Sequence, residues 1–257
     1  MKRIIQTKKI ATALGGEAGG FNPNYTYRVR GTCPGNLIAY WPLSETTGAT
    51  IADESGNGRT GSYNNVTLAG AGIGDGRTGA SWSNTTCGLG DLYSTSLRDA
   101  INFREGSIMV WSKIPDVGTY SDNVVRRMLT LSASGAGNGI LIFKGGTASN
   151  MAMQYVANGT TTALNGEVNS SSTQWVPYAV TYSRSASRVR FYTQGIQRNT
   201  GTSMGDFTNG PLDNDTAVLA KVGTSDSTNN GWTGLLAHIA LWTTELTAGQ
   251  IKFLSTV

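Results

Sequence analysis

Asp213 and Asp215 are the carboxylate pair whose alternation in this 257-residue chain most nearly suits catalysis. Alternate residues on a strand point the same way, so an acid and a nucleophile could face each other across one sugar. The surrounding Gly210-Pro211-Leu212-Asp213-Asn214-Asp215 is turn chemistry, however, and the pair is expected in a solvated loop. His238 is the only histidine, which excludes His-rich zinc or iron centres. A Ser-His-Asp relay would have to use it. Flanked by apolar Leu236 and Ala240, it is expected to be a packed or rim residue instead. Gly70-Ala71-Gly72-Ile73-Gly74-Asp75-Gly76 invites a phosphate-loop reading but lacks the Gly-Lys-Ser/Thr ending, so a flexible loop is expected.

Sugar recognition needs exposed rings that stack on pyranose faces, with amides and carboxylates nearby. Trp232, Tyr120 and Trp82 lie in polar, loop-like contexts and are the candidate glycan contacts. Trp41, Trp111, Trp175 and Trp242 sit in apolar runs and are expected in the core.

The elements that would position these residues are short strands. From Leu37 onward, short apolar runs are separated by Gly/Asn/Ser/Thr clusters. Strands are predicted at 37–41, 107–114, 128–131, 139–143, 151–156, 176–182, 188–193, 217–222 and 235–242. In 188–193, Val189 and Phe191 share one face and Arg188 and Arg190 the other. The 107–114 run is apolar on both faces, so it should be central. Charged residues are 14% of the chain, well below the usual ~25%. The fold class expected is all-β, a two-sheet antiparallel sandwich in one domain. A short C-terminal helix should close it, with Thr247 as N-cap, Gln250 completing a capping box, and Leu246 stapling onto Ile251.

Residues 1–36 read differently, as an extended basic arm before the domain at 37–257. The arm carries six basic side chains against Glu17 alone, and the net charge of +4 resides there. Tyr25, Tyr27 and Val29 alternate with Thr26 and Arg28, the pattern of a strand that could add to another protein's sheet. With Arg28 and Arg30 they are the candidate partner-docking residues. Met1–Lys9 begins like a signal peptide, but the apolar run breaks at Gln6, and no stretch reaches the ~20 apolar residues of a membrane span. Neither export nor a membrane partner is expected. Cys33 and Cys87 allow one disulfide but no framework, and buried free thiols are expected.

Four segments together resemble the laminin-G-like family of concanavalin A-like lectin-glucanase jelly rolls. They are Tyr40–Gly58, Ile108–Ser112, Trp175–Tyr182 with Val189–Tyr192 and Gly195, and Gly234–Trp242 with Leu246–Ile251. The ordered set spans 37–257. The resemblance implies the jelly roll, and at the Asp53 turn a structural calcium for which Asp53, Ser55 and Asn57 offer hard oxygens. The acidic pair that family members often carry on the closing strand is here Ala237 and His238. That leaves no firm cofactor. The carboxylate motif of glycosidases on this sandwich is absent, so no enzyme is expected.

An extracellular style of sandwich, a basic arm and no export signal point to a bacteriophage virion protein. It would be a non-catalytic capsid decoration or tail appendage, made in the host cytoplasm and displayed on the virion surface. Its expected partners are capsid or tail proteins and a cell-surface glycan, with homo-oligomeric or lattice-bound assembly and no nucleic acid. The alternative is a free carbohydrate-binding lectin or adhesin module. A glycoside hydrolase ranks last.

Overall fold

A strand that is apolar on both sides needs cover on both sides, and the fold supplies it around Glu105–Lys113. The computed structural model describes residues 25–83, 88–133, 139–146, 150–157, 159–166, 173–202, 204, 218–223 and 231–257. In chain order they form α1 (Tyr25–Gly31), β1 (Leu37–Trp41), β2 (Thr50–Ile51), β3 (Gly61–Asn64), β4 (Thr67–Ala71), β5 (Thr78–Trp82) and β6 (Leu89–Asp91). There follow α2 (Thr95–Ala100), β7 (Glu105–Lys113), α3 (Val117–Ser121), β8 (Arg126–Ala133), β9 (Gly139–Lys144), β10 (Met151–Ala157) and β11 (Thr160–Asn165). The chain closes with β12 (Val176–Ser183), β13 (Arg188–Thr193), β14 (Ile196–Thr202), β15 (Val218–Val222), β16 (Gly234–Trp242) and α4 (Ala248–Leu254).

The strands make two eight-stranded sheets. The first runs β14-β13-β12-β7-β16-β5-β4, with β1 also paired to β16. The second runs β11-β10-β9-β8-β15-β6-β3-β2. The strand pairings are antiparallel, and β7 lies centrally between β12 and β16, as expected. Its Ile108 and Val110 enter the core between the sheets. Met109 and Trp111 enter a second apolar cluster on the outer face of the first sheet.

That outer cluster is covered by the two ends of the described chain. Helix α4 contributes Ile251 and Leu254, held by the expected capping box of Thr247 and Gln250. Helix α1 contributes Tyr25 and Val29. Here the sequence expectation is corrected, because Tyr25–Gly31 is a helix and not an extended strand. Tyr25 and Val29 stand four apart, which places them on one helical face against this chain's own sheet. Burying each such side chain contributes about 1.5–3 kcal/mol, and this tertiary gain outweighs a weak period-2 pattern over five residues. The arm residues before Tyr25 lie outside the described residues. Among the described residues no helix is long and apolar enough to cross a membrane.

Strand β16 carries an irregularity that matters later. Leu236, Ile239 and Leu241 face the inter-sheet core, while Ala237, Ala240 and Trp242 face the outer cluster. Strict alternation fails once, at His238, where the register with β7 shifts between Ala237 and Ala240. His238 is the extra residue of this bulge and adopts a left-handed backbone, φ 50°.

Candidate functional site

The Asp53 turn folds back beneath β1. Asp53 Oδ1 accepts from the backbone N–H of Tyr40 at 3.0 Å and of Ser55 at 2.9 Å. Its Oδ2 accepts from Ser55 Oγ at 2.9 Å and from the Arg59 backbone N–H at 2.8 Å. Asn57 turns its NH₂ towards the Leu37 and Ile38 carbonyls at 2.9 and 2.8 Å, and Arg59 Nη1 also donates to the Ile38 carbonyl. Calcium requires six to eight inward-facing oxygens. Here each Asp53 oxygen already holds two donors, and a guanidinium occupies the neighbouring carbonyl. Asp53, Ser55 and Asn57 thus form a hydrogen-bonded turn whose oxygens are engaged by the chain's own donors. Among the described residues, no three His, Cys, Asp or Glu side chains converge as metal ligands.

The candidate glycan contacts are corrected. Trp232 is 1% exposed, Tyr120 1% and Trp82 2%, so none offers a ring to a sugar. Trp82 packs so close under Gly223 that a Cβ there would stand 2.1 Å from the indole. Trp232 and Tyr120 line a cavity of about 10 Å³ at one end of the sandwich, room for about one water. Polar neighbours in sequence reported the loop but not the direction of the ring. Tyr93, 42% exposed, is an aromatic the sequence reading missed.

The carboxylates near the sheets are committed to holding the fold. Glu54 takes Arg77 bidentately at 2.7 and 2.9 Å. Glu245 takes Arg188 at 2.6 Å and Arg190 at 3.0 Å, which explains the outward arginines of β13. Glu45 accepts from Ala52 N and Tyr63 Oη, both at 2.7 Å. Asp122 binds Arg126 and also Lys144, whose ammonium is fully buried, at 2.8 Å. Burial opposes ionisation of Asp122, but Lys144 and Arg126 outweigh it and hold the carboxyl below its ordinary value. Asp213 and Asp215 lie outside the described residues. Gly201–Gly205 reads Gly-x-Ser-x-Gly; Gly201 and Thr202 are the last residues of β14, and Ser203 and Gly205 lie outside the described residues.

His238 gathers what the sequence scattered. Its Nδ1 is 2.7 Å from Tyr40 Oη, which is 3.2 Å from Thr26 Oγ1. Its Nε2 faces Asp75 Oδ2 at 3.3 Å, and neither atom has a well-aligned hydrogen bond. The Tyr25 ring packs on the imidazole with centroids 4.6 Å apart. Burial holds the His238 pKa below its ordinary value against the opposing pull of Asp75. Burial alone would raise Asp75, but His238 and Arg77 hold its carboxyl below the usual range. Asp75 reaches this place because 67–71 is strand β4, and Gly72 lets the hairpin close: a Cβ there would stand 1.9 Å from the Arg77 carbonyl. The expected flexible loop is thus a tight hairpin end. An acidic residue between glycines, and a lone His in an apolar strand, were the available signals.

Helix α1 divides the candidate docking residues. Tyr25 and Val29 are buried, and Tyr25 Oη accepts from Trp111 Nε1 at 2.7 Å and donates to the Leu254 carbonyl at 2.8 Å. Tyr27 is 62% exposed, Arg30 is exposed, and Arg28 lies over the Phe253 ring at 5.1 Å. Cys33 is half-buried with a free thiol, 3.1 Å from Gln250 Nε2, and Cys87 lies outside the described residues.

A family model described as the Concanavalin A-like lectin/glucanases superfamily matches residues 90–252. Comparison with curated protein sequences gives no match. Among solved structures, domain 4 of AbnA, a GH43 extracellular arabinanase from Geobacillus stearothermophilus, was determined with arabinotriose. It is similar at TM-score 0.56 and 17% identity, over 86% of this chain and 98% of that one. The binding domain of Paraclostridial Mosquitocidal Protein 1 gives 0.63 and 14%, over 86% and 52%. The Ruminococcus gnavus IT-sialidase CBM40 bound to α2,3 sialyllactose gives 0.51 and 11%, over 65% and 91%. At these identities the likeness is one of fold.

Proposed function

The chain belongs to the Concanavalin A-like lectin/glucanases superfamily, and from that premise we propose that it is a non-catalytic, lectin-like domain of a bacteriophage particle. It is placed on the virion surface as a capsid decoration or tail appendage, docked through its N-terminal side. The sandwich faces out, stabilising the particle or touching cell-surface glycans weakly. The observation that supports docking is the division of α1. Tyr25 and Val29 serve the domain's own fold, while Tyr27 and Arg30 face out beside Arg28 and Phe253. An aromatic set among basic side chains suits an acidic patch on a capsid or tail protein. The commitment of the turn carboxylates to arginines, lysine and backbone donors supports a non-catalytic role.

Particles assembled with the Tyr27→Ala/Arg30→Ala chain provide the test. The variant should fold and fail to incorporate; normal incorporation overturns the docking reading. Turnover of a laminarin-like glucan by the domain would overturn the non-catalytic reading.

A second reading, a free carbohydrate-binding module, is supported by the sugars in two of the similar structures. It predicts glycan-array binding by the whole chain, weakened by Tyr93→Ala, the exposed aromatic on the sandwich. A blank array removes it.

A further inference from the structure

The chain Asp75–His238–Tyr40–Thr26 joins four elements: the β4–β5 hairpin, the β16 bulge, β1 and α1. Both the His238 and the Asp75 side chains are at most 1% exposed. An ionised carboxylate only accepts, so the network assigns the Nε2 proton to His238 and leaves Nδ1 to accept from Tyr40 Oη. Tyr25 of α1 covers the imidazole. A left-handed backbone is strained at a non-glycine residue and persists where surrounding contacts impose it. Strain, a buried titratable ring and an under-satisfied contact to Asp75 coincide at one residue.

We propose that this chain is a proton-operated latch, in which protonation of His238 releases α1 from the outer face of the first sheet. The added proton turns Nδ1 into a donor, so Tyr40 Oη must reverse and accept. The new cation lies against the Tyr25 and Tyr40 rings, away from water. Its neighbours compensate it poorly. Asp75 stands at 3.3 Å without alignment, and Arg77 adds like charge while its own partner, Glu54, is engaged. Tyr25 and Tyr40 stay neutral, because burial pushes both phenols up. Lifting α1 removes Tyr25 and lets water reach the imidazolium.

Helix α1 is the part that moves. It has seven residues, too few for an isolated helix to persist, and it depends on docking. It is held by Tyr25 and Val29, by the 2.8 Å bond from Trp242 Nε1 to the Thr32 carbonyl, and at its exposed side by Arg28, which donates to the Thr256 carbonyl at 2.6 Å. Because His238 is held neutral, the closed form keeps its full advantage above pH ~6.5. That advantage falls by at most about tenfold in population per pH unit below it. The latch stands whether or not α1 meets a partner.

Hydrogen exchange on the full chain, read as protection factors from pH 8 to 5.5, tests it. In the wild type, amides 25–33 should lose protection by up to about tenfold on passing from pH 7.5 to 5.5, while 176–183 in β12 stay level. In His238→Gln the 25–33 loss should vanish. Level protection of 25–33 in the wild type, or the same loss in the variant, overturns the latch. NMR titration of the one imidazole serves if the variant does not fold. Titration together with the loss of 25–33 protection supports the latch, and titration with that protection intact overturns it.

Discussion

Asp53, between β2 and β3, and Asp75, between β4 and β5, both occupy glycine-containing turns, and they end in opposite states. Asp53 is saturated: four donors, three of them main-chain N–H groups, use both oxygens. Asp75 has one oxygen on the Arg77 N–H at 3.1 Å and the other facing only an imidazole. A carboxylate filled by fixed donors acts as a mechanical tie. A carboxylate facing a titratable ring, with one contact under-made, is where a proton can change the balance. The same residue type thus locks one turn and poises the other.

The sharpest way to break the contrast is Asp53→Ala, which strands the N–H groups of Tyr40, Ser55 and Arg59. Urea unfolding should show a loss of about 3 kcal/mol. A loss under about 1 kcal/mol would mean that those donors find other partners and that the tie is weak. Tyr25→Phe comes next, removing the bonds to Trp111 and Leu254 at a cost of about 2 kcal/mol. Chemical denaturation monitored by tryptophan fluorescence reads it. Third is the pH dependence of the wild type. The folded-state pKa of His238 is depressed, so its contribution is complete above pH ~6.5 and is lost as pH falls further. The slope should reach at most about 1.4 kcal/mol per unit, and His238→Gln should flatten it. The smallest effect is expected from metal: 5 mM calcium or EDTA, about any such concentration, should leave the thermal midpoint unchanged. A rise of several degrees with calcium would reopen the Asp53 turn as an ion site.

The sandwich, the central β7 and the closing helix were legible because their residues are apolar on the faces that demand cover. Strands β4, β11 and β14 were not, because Thr67–Ala71, Thr160–Asn165 and Ile196–Thr202 are largely exposed and carry loop-like Thr, Gly and Asn. Helix α1 was misread because its partner, the outer face of the first sheet, is assembled from β7, β16 and β12. The candidate site failed for a related reason. Trp232 follows Asn229-Asn230-Gly231, and nothing in that string records that the ring turns inward. His238 could be noticed alone, but Thr26, Tyr40 and Asp75 lie far from it along the chain, Tyr40 by 198 positions, and only folding brings them within reach.

The pairing of α1 with α4 has a consequence for how the domain can be carried. Arg28 Nη1 donates to the Thr256 carbonyl at 2.6 Å, so the chain enters and leaves the sandwich side by side. The first and last described elements therefore stand on one side of the sandwich, over the outer face of the first sheet. The outer face of the second sheet lies on the opposite side of the sandwich from both helices.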